Sequence, residues 1–400
     1  MLKDYLQRIH RVMRWRLSKN PSARDQLIYE VTRLILAAFE GERPVAWCTV
    51  YTMPMEIVTA MGFIPFNHEI GGAMLAHAKL GIEALELAEE RGFSRDSCSY
   101  HRAALGAGLN GHFPRPTVMI GTAHLCDSVP KTYEIMCRYY GVDFTLLDTP
   151  MEINEAALDY AEEQLWRTIE ALSQAKGEPL DQDRLVEVIR LSNQIRERML
   201  RVNELRQHVP SPWHGRQAFD FIFLAYLLWG TETLLQIYDK RVAELETETA
   251  TPSGDGQEKY RLLWLGPMPQ YETEIFSLLE EELGAHPVFE ETSVVYWDEI
   301  DERQPVRSLA RKMMQNFGLG RIENRARTAV RLARDYRVDG AIHFSHWGCR
   351  QACGGVRIIK DALAEINVPL LNLDGDGMDE RNYAAGQVKT RLEGFIEMLG

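Results

Sequence analysis

The sequence contains little cysteine, with six in 400 residues, at positions 48, 98, 126, 137, 349 and 353. Small secreted domains that are held together by disulfides have a far higher cysteine density, so a disulfide scaffold is excluded. In a reducing compartment each cysteine is by default a small, buried, apolar side chain. A function for any of the six therefore has to be argued position by position.

Other features are also missing from the chain. No run of about 18 or more apolar residues occurs, which argues against a membrane span. The formal net charge is −13, and this acidic balance argues against a general nucleic-acid surface. The first 20 residues are basic and amphipathic but lack the apolar core and cleavage site of a signal peptide. We expect a helix there and a cytoplasmic protein.

The distribution of strand and helix patterns predicts the domain organisation. The length of 400 residues exceeds one ordinary core, so two or three domains are expected. Residues 41–150 and 257–400 alternate strands with helices, which favours parallel sheets. Residues 1–40 and 151–256 are predicted to be helical, and 249–258 a polar linker. The predicted fold class is α/β, with two Rossmann-like parallel-sheet lobes joined by a helical segment.

Individual elements follow from hydrophobic periodicity and from the positions of glycine and proline. The predicted strands are 43–51, 63–66, 116–122, 142–147, 261–265, 286–289, 338–344 and 368–373. The predicted helices outside the central segment are 54–61, 71–91, 100–109, 130–140, 266–283, 322–336, 350–366 and 386–399.

Three cysteines stand where parallel-sheet proteins bind ligands. Cys126 and Cys349 each follow a predicted strand and precede a predicted helix, and Cys98 lies at the start of a helix. Ligands of open α/β sheets bind beyond the carboxyl ends of strands, and helix N-termini lower thiol pKa values. Because an iron–sulfur cluster needs thiolates, these three are suitable ligands. Long stretches of chain separate them, so their spacing alone is a weak signal.

The other cysteines are weaker candidates. Cys137 lies inside a helix, on the order of 12 Å or more beyond Cys126 along the helix axis, and is predicted to be core. Cys353 lies about one helical turn after Cys349 and either approaches the same site or packs inward. Cys48 ends the first strand near the same sheet edge and is a minor candidate.

The segments around these cysteines resemble a known protein family. The matching segments are Pro54-Met-Glu-Ile-Val-Thr-Ala-Met-Gly62, Cys98-Ser-Tyr100, His124-Leu-Cys-Asp127 with Pro130-Lys131, Tyr139-Tyr-Gly-Val142, His346-Trp-Gly-Cys-Arg-Gln-Ala-Cys-Gly354, and Asp374-Gly-Asp376 ahead of Thr390-Arg391. In this order they resemble the 2-hydroxyacyl-CoA dehydratase subunit family, which includes benzoyl-CoA reductase subunits. The resemblance spans roughly 43–150 and 259–400, and the helical middle contributes little.

The resemblance implies a cofactor, a mechanism and partners. It implies that Cys98, Cys126 and Cys349 hold one 4Fe–4S cluster and leave one iron without a protein thiolate. An electron of very low potential would enter an acyl-CoA thioester carbonyl and give a ketyl radical anion. The open iron would then act as Lewis acid for a 2-hydroxyl, which favours a dehydratase over an aromatic-ring reductase. Also implied are a homologous second subunit and a separate ATP-hydrolysing iron–sulfur activator.

Dependence on such a donor agrees with the motifs that the chain lacks. It has neither a GxxxxGK(S/T) loop nor a GxGxxG fingerprint, so no nucleotide site of its own is predicted. Two alternatives stay open. One is a small-molecule reductase with an 8Fe–9S double-cubane cluster on six cysteines, for which Cys353 and Cys48 would be extra thiols. The other is a non-catalytic subunit that relays electrons or serves as scaffold.

Three residues are candidates for proton transfer, and each also has a structural explanation. Glu56 lies in a first helical turn, where an acid complements the helix dipole, and it is also part of the family segment. His346 and His101 lie close to the proposed ligands and could equally be packed, hydrogen-bonded histidines. Asp374 and Asp376 follow a strand in a glycine-rich turn, and turn chemistry explains them.

Overall fold

The structure is a computed structural model and describes residues 1–49, 51–250 and 258–400. The linker predicted at 249–258 and the domain boundary predicted after residue 256 lie largely outside the described residues. The predicted division into four segments therefore stays a prediction, and the elements are given below in chain order.

Two helices precede the first sheet: α1 (Leu2–Leu17) and α2 (Ala23–Glu40). Pro21, which cannot continue a helical hydrogen-bond ladder, lies in the break between them. Ser22 caps α2 by accepting a hydrogen bond from the backbone N–H of Asp25, and Gly41 ends the helix at a φ of 73°. A left-handed residue at this position is a common helix terminator.

The first sheet has four parallel strands in the order β2-β1-β3-β4. The strands are β1 (Val45–Cys48), β2 (Ile64–Phe66), β3 (Val118–Thr122) and β4 (Phe144–Leu147). The accompanying helices are α3 (Met55–Ala60), α4 (His68–His77), α5 (Gly81–Glu90), α6 (Ser99–Gly108) and α7 (Ser128–Tyr140). The central strands β1 and β3 are completely buried, as apolar strands covered on both faces should be.

The single helix predicted at 71–91 is wrong, because the chain forms α4 and α5 with a break between them. Lys79 adopts a left-handed conformation with a φ of 61°. The backbone N–H of Leu80 donates to the carbonyl oxygen of Leu75 at 2.8 Å, which closes the end of α4. This is the hydrogen-bond pattern of a helix C-terminus, here without the usual glycine.

The described residues between the sheets form four helices and a 3₁₀ turn at Tyr226–Leu228. The helices are α8 (Glu155–Lys176), α9 (Gln182–Leu205), α10 (Gly215–Ala225) and α11 (Glu232–Ala250). Helix α11 packs against α9 and α2, which ties this segment to the N-terminal helices.

The second sheet is also fully parallel and repeats the strand order of the first, β6-β5-β7-β8. Its strands are β5 (Tyr260–Leu265), β6 (Ala285–Glu290), β7 (Gly340–His346) and β8 (Leu370–Gly375). The helices are α12 (Ile275–Ser277), α13 (Pro305–Met314), α14 (Ile322–Asp335), α15 (Arg350–Cys353), α16 (Val356–Ala364) and α17 (Ala385–Leu399). Two parallel four-stranded sheets surrounded by helices confirm the predicted fold class.

Two predicted helices of the second lobe need correction. The helix expected from 266 to 283 is reduced to α12 and one π-helical turn at Leu278–Glu282. Pro267 and Pro269 lack the N–H groups that a helix would need there. The helix expected at 350–366 is divided into α15 and α16 at Gly354-Gly355. A side chain at Gly355 would stand 2.2 Å from Ile322, so the close approach of α14 requires glycine.

The cores of the two lobes are not fully separate. The largest apolar core combines the first sheet, the N-terminal helices, the central helices and residues 297–319, which follow the second sheet's β6. Helix α13 packs against α8 and α9 in this core. Among the described residues, no helix combines the length and apolarity needed to cross a membrane.

Candidate active site

A cavity of about 270 Å³ lies between the carboxyl ends of the two sheets. Residues just after or at the ends of strands in both sheets line it, including Thr122 of β3 and His346 of β7. Cys98, Cys126 and Cys349 all line this one cavity. The crevice beyond the carboxyl ends of parallel strands is where such folds bind ligands.

The segments that carry Cys98 and Cys349 are in direct contact. Cys98 is the N-cap of α6 and Cys349 the N-cap of α15. Gly348 has a φ of +76°, and a Cβ on it would stand 2.9 Å from the backbone nitrogen of Cys98. Only glycine fits both the left-handed backbone and this approach. Cys126 reaches the cavity from the loop between β3 and α7, after Leu125 with its φ of 75°.

Burial works against thiolate formation at two of these cysteines. It raises the pKa of Cys98 well above its ordinary value and the pKa of Cys349 to about 11. The backbone hydrogen bonds at both helix starts lower these pKa values, as the sequence predicts, but desolvation outweighs them. A bound metal centre would have to supply the positive charge that makes such thiols ligands.

His346 makes a hydrogen bond to Cys98. It ends strand β7 rather than lying in the following loop, and its Nε2 lies 3.2 Å from the Sγ of Cys98. Its Nδ1 accepts a hydrogen bond from the backbone N–H of Gly377 at 2.9 Å. Burial lowers the pKa of His346 to about 4, although Asp376 opposes the shift. The neutral imidazole with its proton on Nε2 therefore donates to the sulfur.

His101 makes the corresponding contact with Cys126. Its Nε2 lies 3.1 Å from the Sγ of Cys126 and 3.3 Å from Oε1 of Glu69. Its Nδ1 lies 3.0 Å from both the Thr132 hydroxyl and the Nε2 of His68. Burial acts to lower the pKa of His101, but the contacts with Cys126 and Glu69 raise it to about 10. The charged imidazolium is favoured between these two partners.

Glu69 is a cavity residue that sequence reasoning missed. It lies in the first turn of α4, directly after β2, and its side chain is a quarter exposed to the cavity at 25%. Burial acts to raise its pKa, but the hydrogen bond and charge of His101 lower it to about 2. The sequence contained a signal for Glu69, because Asn67-His68-Glu69 directly follows a predicted strand, as Cys126 also does.

The spacing of possible ligands separates a cluster site from a single-ion site. Among the described residues, His68, Glu69 and His101 are the group of three whose ligand atoms lie within 4.8 Å of one another. The three cavity cysteines do not meet that spacing. Thiolates around one zinc ion would lie about 3.8 Å apart, given Zn–S bonds of about 2.3 Å. Sulfurs that bind different irons of a cubane stand further apart, so the cysteine set fits a cluster better than zinc.

The second lobe supports the Cys349 loop through a buried ion pair. Arg325 donates to both carboxylate oxygens of Glu291, at 2.9 and 2.5 Å. It also donates to the backbone carbonyl of Gln351 at 3.0 Å, two residues after Cys349.

Asp376, predicted to be a turn residue, accepts hydrogen bonds from the backbone N–H groups of Met378 and Asp379 at 2.9 and 3.0 Å. Asp376 therefore lies in a turn as predicted, whereas Asp374 belongs to strand β8 and pairs with Ser345 of β7.

Four predicted candidates, Cys353, Cys48, Glu56 and His101, do not line the cavity, and neither does Cys137, which was predicted to be core. Cys353 is exposed and donates to the carbonyl oxygen of His346. Cys48 is fully buried in β1, with Met55 as its sulfur neighbour at 3.9 Å. Cys137 is half-buried on α7 rather than in the core proper. Glu56 is fully buried, and its hydrogen-bond partners lie outside the cavity lining.

Glu56 forms a buried ion pair with the second half of the chain. Its Oε1 accepts from Lys312 Nζ at 2.6 Å and from the indole N–H of Trp229 at 3.0 Å. Lys312 also lies over the rings of Trp229 and Trp297, at 4.8 and 4.6 Å from their centroids. These contacts link α3 to α13 and to the central helices.

Aromatic residues form part of the remaining cavity wall. They are Tyr51, Phe219, Phe223, Tyr226, Tyr296 and Phe317, and polar side chains such as Gln270 and Asn316 line the cavity as well. The aromatic part of the wall offers an apolar surface to an organic substrate. The site therefore combines three thiols, a carboxylate and His346 with this apolar surface.

Comparison with known proteins gives consistent matches. The family described as "2-hydroxyglutaryl-CoA dehydratase, D-component" matches residues 50–399, which includes the central helices. The chain is 25% identical over 379 residues to the (R)-phenyllactyl-CoA dehydratase alpha subunit of Clostridium sporogenes, covering 91% of each chain. It is 24% identical over 392 residues to the (R)-2-hydroxyisocaproyl-CoA dehydratase alpha subunit of Clostridioides difficile, covering 94% of each. One of the benzoyl-CoA reductase subunits of Thauera aromatica is 25% identical over 343 residues, with 78% of each chain covered.

Proposed function

Because the chain belongs to the family of the 2-hydroxyglutaryl-CoA dehydratase D-component, we propose that it is the active-site subunit of an enzyme that removes water from a 2-hydroxyacyl-CoA. The observation that carries this proposal is that three cysteines from remote parts of the chain line one cavity together with Glu69 and His346, and that His101 contacts two of these cavity residues, Cys126 and Glu69. Loss of hydroxide from C2 and of a proton from C3 gives a 2-enoyl-CoA and water.

The residues that would hold the cofactor are Cys98, Cys126 and Cys349, on one 4Fe–4S cluster. When bound, the cluster would supply a low-potential electron to the thioester carbonyl and an open iron for the hydroxyl that leaves. His346 and His101 would donate hydrogen bonds to two of the sulfurs, and hydrogen bonds of this kind tune cluster potentials. The donor set supports this assignment because each thiol has its own loop and two have an imidazole partner.

Glu69 is the residue best suited to move a proton. Its carboxylate faces the cavity, where it can accept the C3 proton of the reduced substrate. His101, hydrogen-bonded to it, would fix its orientation and could pass the proton on. Glu56, the candidate from the family segment, lies in an ion pair outside the cavity and is proposed instead as a structural residue.

The proposal includes two protein partners. Similar proteins are named as alpha subunits, so a second subunit is expected. The separate ATP-hydrolysing iron–sulfur activator is proposed from the family resemblance, since the sequence carries no nucleotide-binding motif of its own.

Reduction of an aromatic acyl-CoA is the second candidate, because of the benzoyl-CoA reductase relative and the aromatic cavity wall. The double-cubane alternative has less support, since Cys48 and Cys137 do not line the cavity. If the chain were a non-catalytic subunit, the ionised Glu69 in the cavity would have no function in the reaction.

The test uses the complete enzyme, with its second subunit, purified without oxygen. We expect on the order of four irons for this chain, lost in Cys98→Ser, Cys126→Ser and Cys349→Ser but kept in the control Cys137→Ser. With reduced activator, Glu69→Gln should lower turnover of 2-hydroxyacyl-CoAs by about 10²- to 10⁴-fold while iron stays bound. Turnover of benzoyl-CoA alone would favour the reductase, and unchanged iron in all three serine variants would overturn the proposal.

A further inference from the structure

A second cavity, of about 310 Å³, adjoins the candidate active site. It lies among α1, α2, α4 and α10, so the N-terminal helices form most of its wall. Protein interiors are close-packed and contain few voids larger than a water molecule. A void of this size, at the lower end of the range for small-molecule sites, is therefore a feature of the fold that needs an explanation.

Most of the wall of this second cavity is apolar. Its aliphatic part includes Leu6, Ile9, Met13, Leu27, Val31 and Met74. Polar residues also line it, and three of them have partners in the protein: Arg16 pairs with Asp25 at 2.9 Å, Thr32 donates to the carbonyl oxygen of Tyr29 at 2.8 Å, and Asp220 accepts from Arg216 at 2.8 Å. Burial of an apolar group against the aliphatic part of this wall is favourable.

Only one layer of side chains separates the two cavities. Phe223 and Gln270 border both of them. Glu69 and Ile70, consecutive residues at the start of α4, line one cavity each. Phe223 is half-buried and stacks on Phe219 with a centroid distance of 5.8 Å. A substrate bound next to Glu69 is thus one aromatic ring away from the aliphatic cavity.

We propose that the second cavity receives the tail of the acyl group, so that the substrate is a 2-hydroxyacyl thioester with a long or bulky apolar chain. This inference rests on the proposed function. The pantetheine arm of CoA fits the aliphatic part of the cavity poorly, because its two amides and its hydroxyl would lose hydrogen bonds to water there without finding partners. An alkyl or aryl tail makes no hydrogen bonds to water and therefore loses none on entering the cavity.

The first test measures binding without turnover. Calorimetry on the complete enzyme, without activator, gives the Kd of saturated 2-hydroxyacyl-CoAs of increasing chain length, beginning with lactoyl-CoA. Each methylene that enters the cavity should tighten binding about fourfold, the equivalent of about 0.8 kcal/mol. A Kd that does not change with chain length would overturn the inference and leave the proposed function standing, whereas failure of every thioester to bind would overturn both.

The second test fills the cavity from two different helices, with Met74→Trp on α4 and Ile28→Phe on α2. The matched control is Leu34→Phe, on the same helix as Ile28 and equally half-buried but outside the cavity lining. We expect both filling variants to weaken binding of long-chain thioesters at least tenfold and to leave lactoyl-CoA and the iron content unchanged. Equal weakening for all chain lengths would mean that the cavity holds the pantetheine arm or only supports the fold, and would refute the inference.

Discussion

Removing one partner of the buried ion pair between Glu56 and Lys312 should destabilise the fold by several kcal/mol. The Glu56 side chain is fully buried and that of Lys312 is 9% exposed. Burial lowers the pKa of Lys312, and Glu56 opposes this shift. Replacing Lys312 with methionine keeps most of the apolar stem but leaves a buried carboxylate whose Oε2 already has no partner among the described residues. Breaking a buried pair in this way costs about 3–5 kcal/mol.

A double-mutant cycle tests this value. The variants are Lys312→Met, Glu56→Gln and the pair together, and the assay is unfolding in urea followed by circular dichroism. The double variant should recover much of the stability lost in Lys312→Met, because it removes the uncompensated charge and keeps an oxygen for the indole of Trp229. The control is Lys389→Met, a half-exposed lysine whose loss should change stability by less than about 1 kcal/mol.

Two results would refute this reasoning. One is a Lys312→Met variant as stable as the Lys389→Met control. The other is a double variant less stable than Lys312→Met alone. If instead Glu56→Gln left stability unchanged and abolished turnover, Glu56 would be a proton-transfer residue after all, and the structural role proposed for it would be wrong.

Further predictions concern pH, backbone and cysteine. Burial acts to raise the pKa of Asp379, but two neighbouring arginines outweigh burial and lower this pKa. The ionised carboxylate of Asp379 therefore stabilises the fold above about pH 4, and this stabilisation is lost as the pH falls below that value. Asp379→Asn should therefore be less stable at neutral pH and show a flatter decline in urea midpoint on acidification. Gly348→Ala, whose Cβ would collide with the Cys98 backbone, should lose iron on purification, whereas Gly386→Ala, with nothing within 4 Å, should not. Cys353→Ser should keep the full iron content, and a loss of iron would make Cys353 a ligand.

Much of the fold follows from local patterns in the sequence. Apolar runs between glycine and proline predicted the eight strands of the described residues. The interior strands β1, β3, β5 and β7 are buried along their whole length, as the apolar pattern requires. The prediction failed where a local rule met a tertiary constraint. Lys79 ends a helix in a left-handed conformation that glycine usually supplies, and Gly355 interrupts a helix because Ile322 packs against it.

The candidate site was only partly predictable. Its cysteines could be found because each follows a strand or begins a helix, a position that needs only local sequence. Glu69 obeys the same rule, but a glutamate in a first helical turn is too common to stand out. The Lys312 partner of Glu56 could not be predicted, because 256 residues separate the two and only packing brings them together.

The sequence by itself therefore determined the order of strands and helices and the thiols at strand ends, since these depend on neighbours within a few residues. Only the tertiary structure decided how the two sheets face one another. That arrangement encloses the sulfurs, desolvates them enough to raise two of their pKa values, and leaves a second apolar cavity beside them. Desolvation and cavity shape are set by side chains from distant parts of the chain, and no local pattern encodes them.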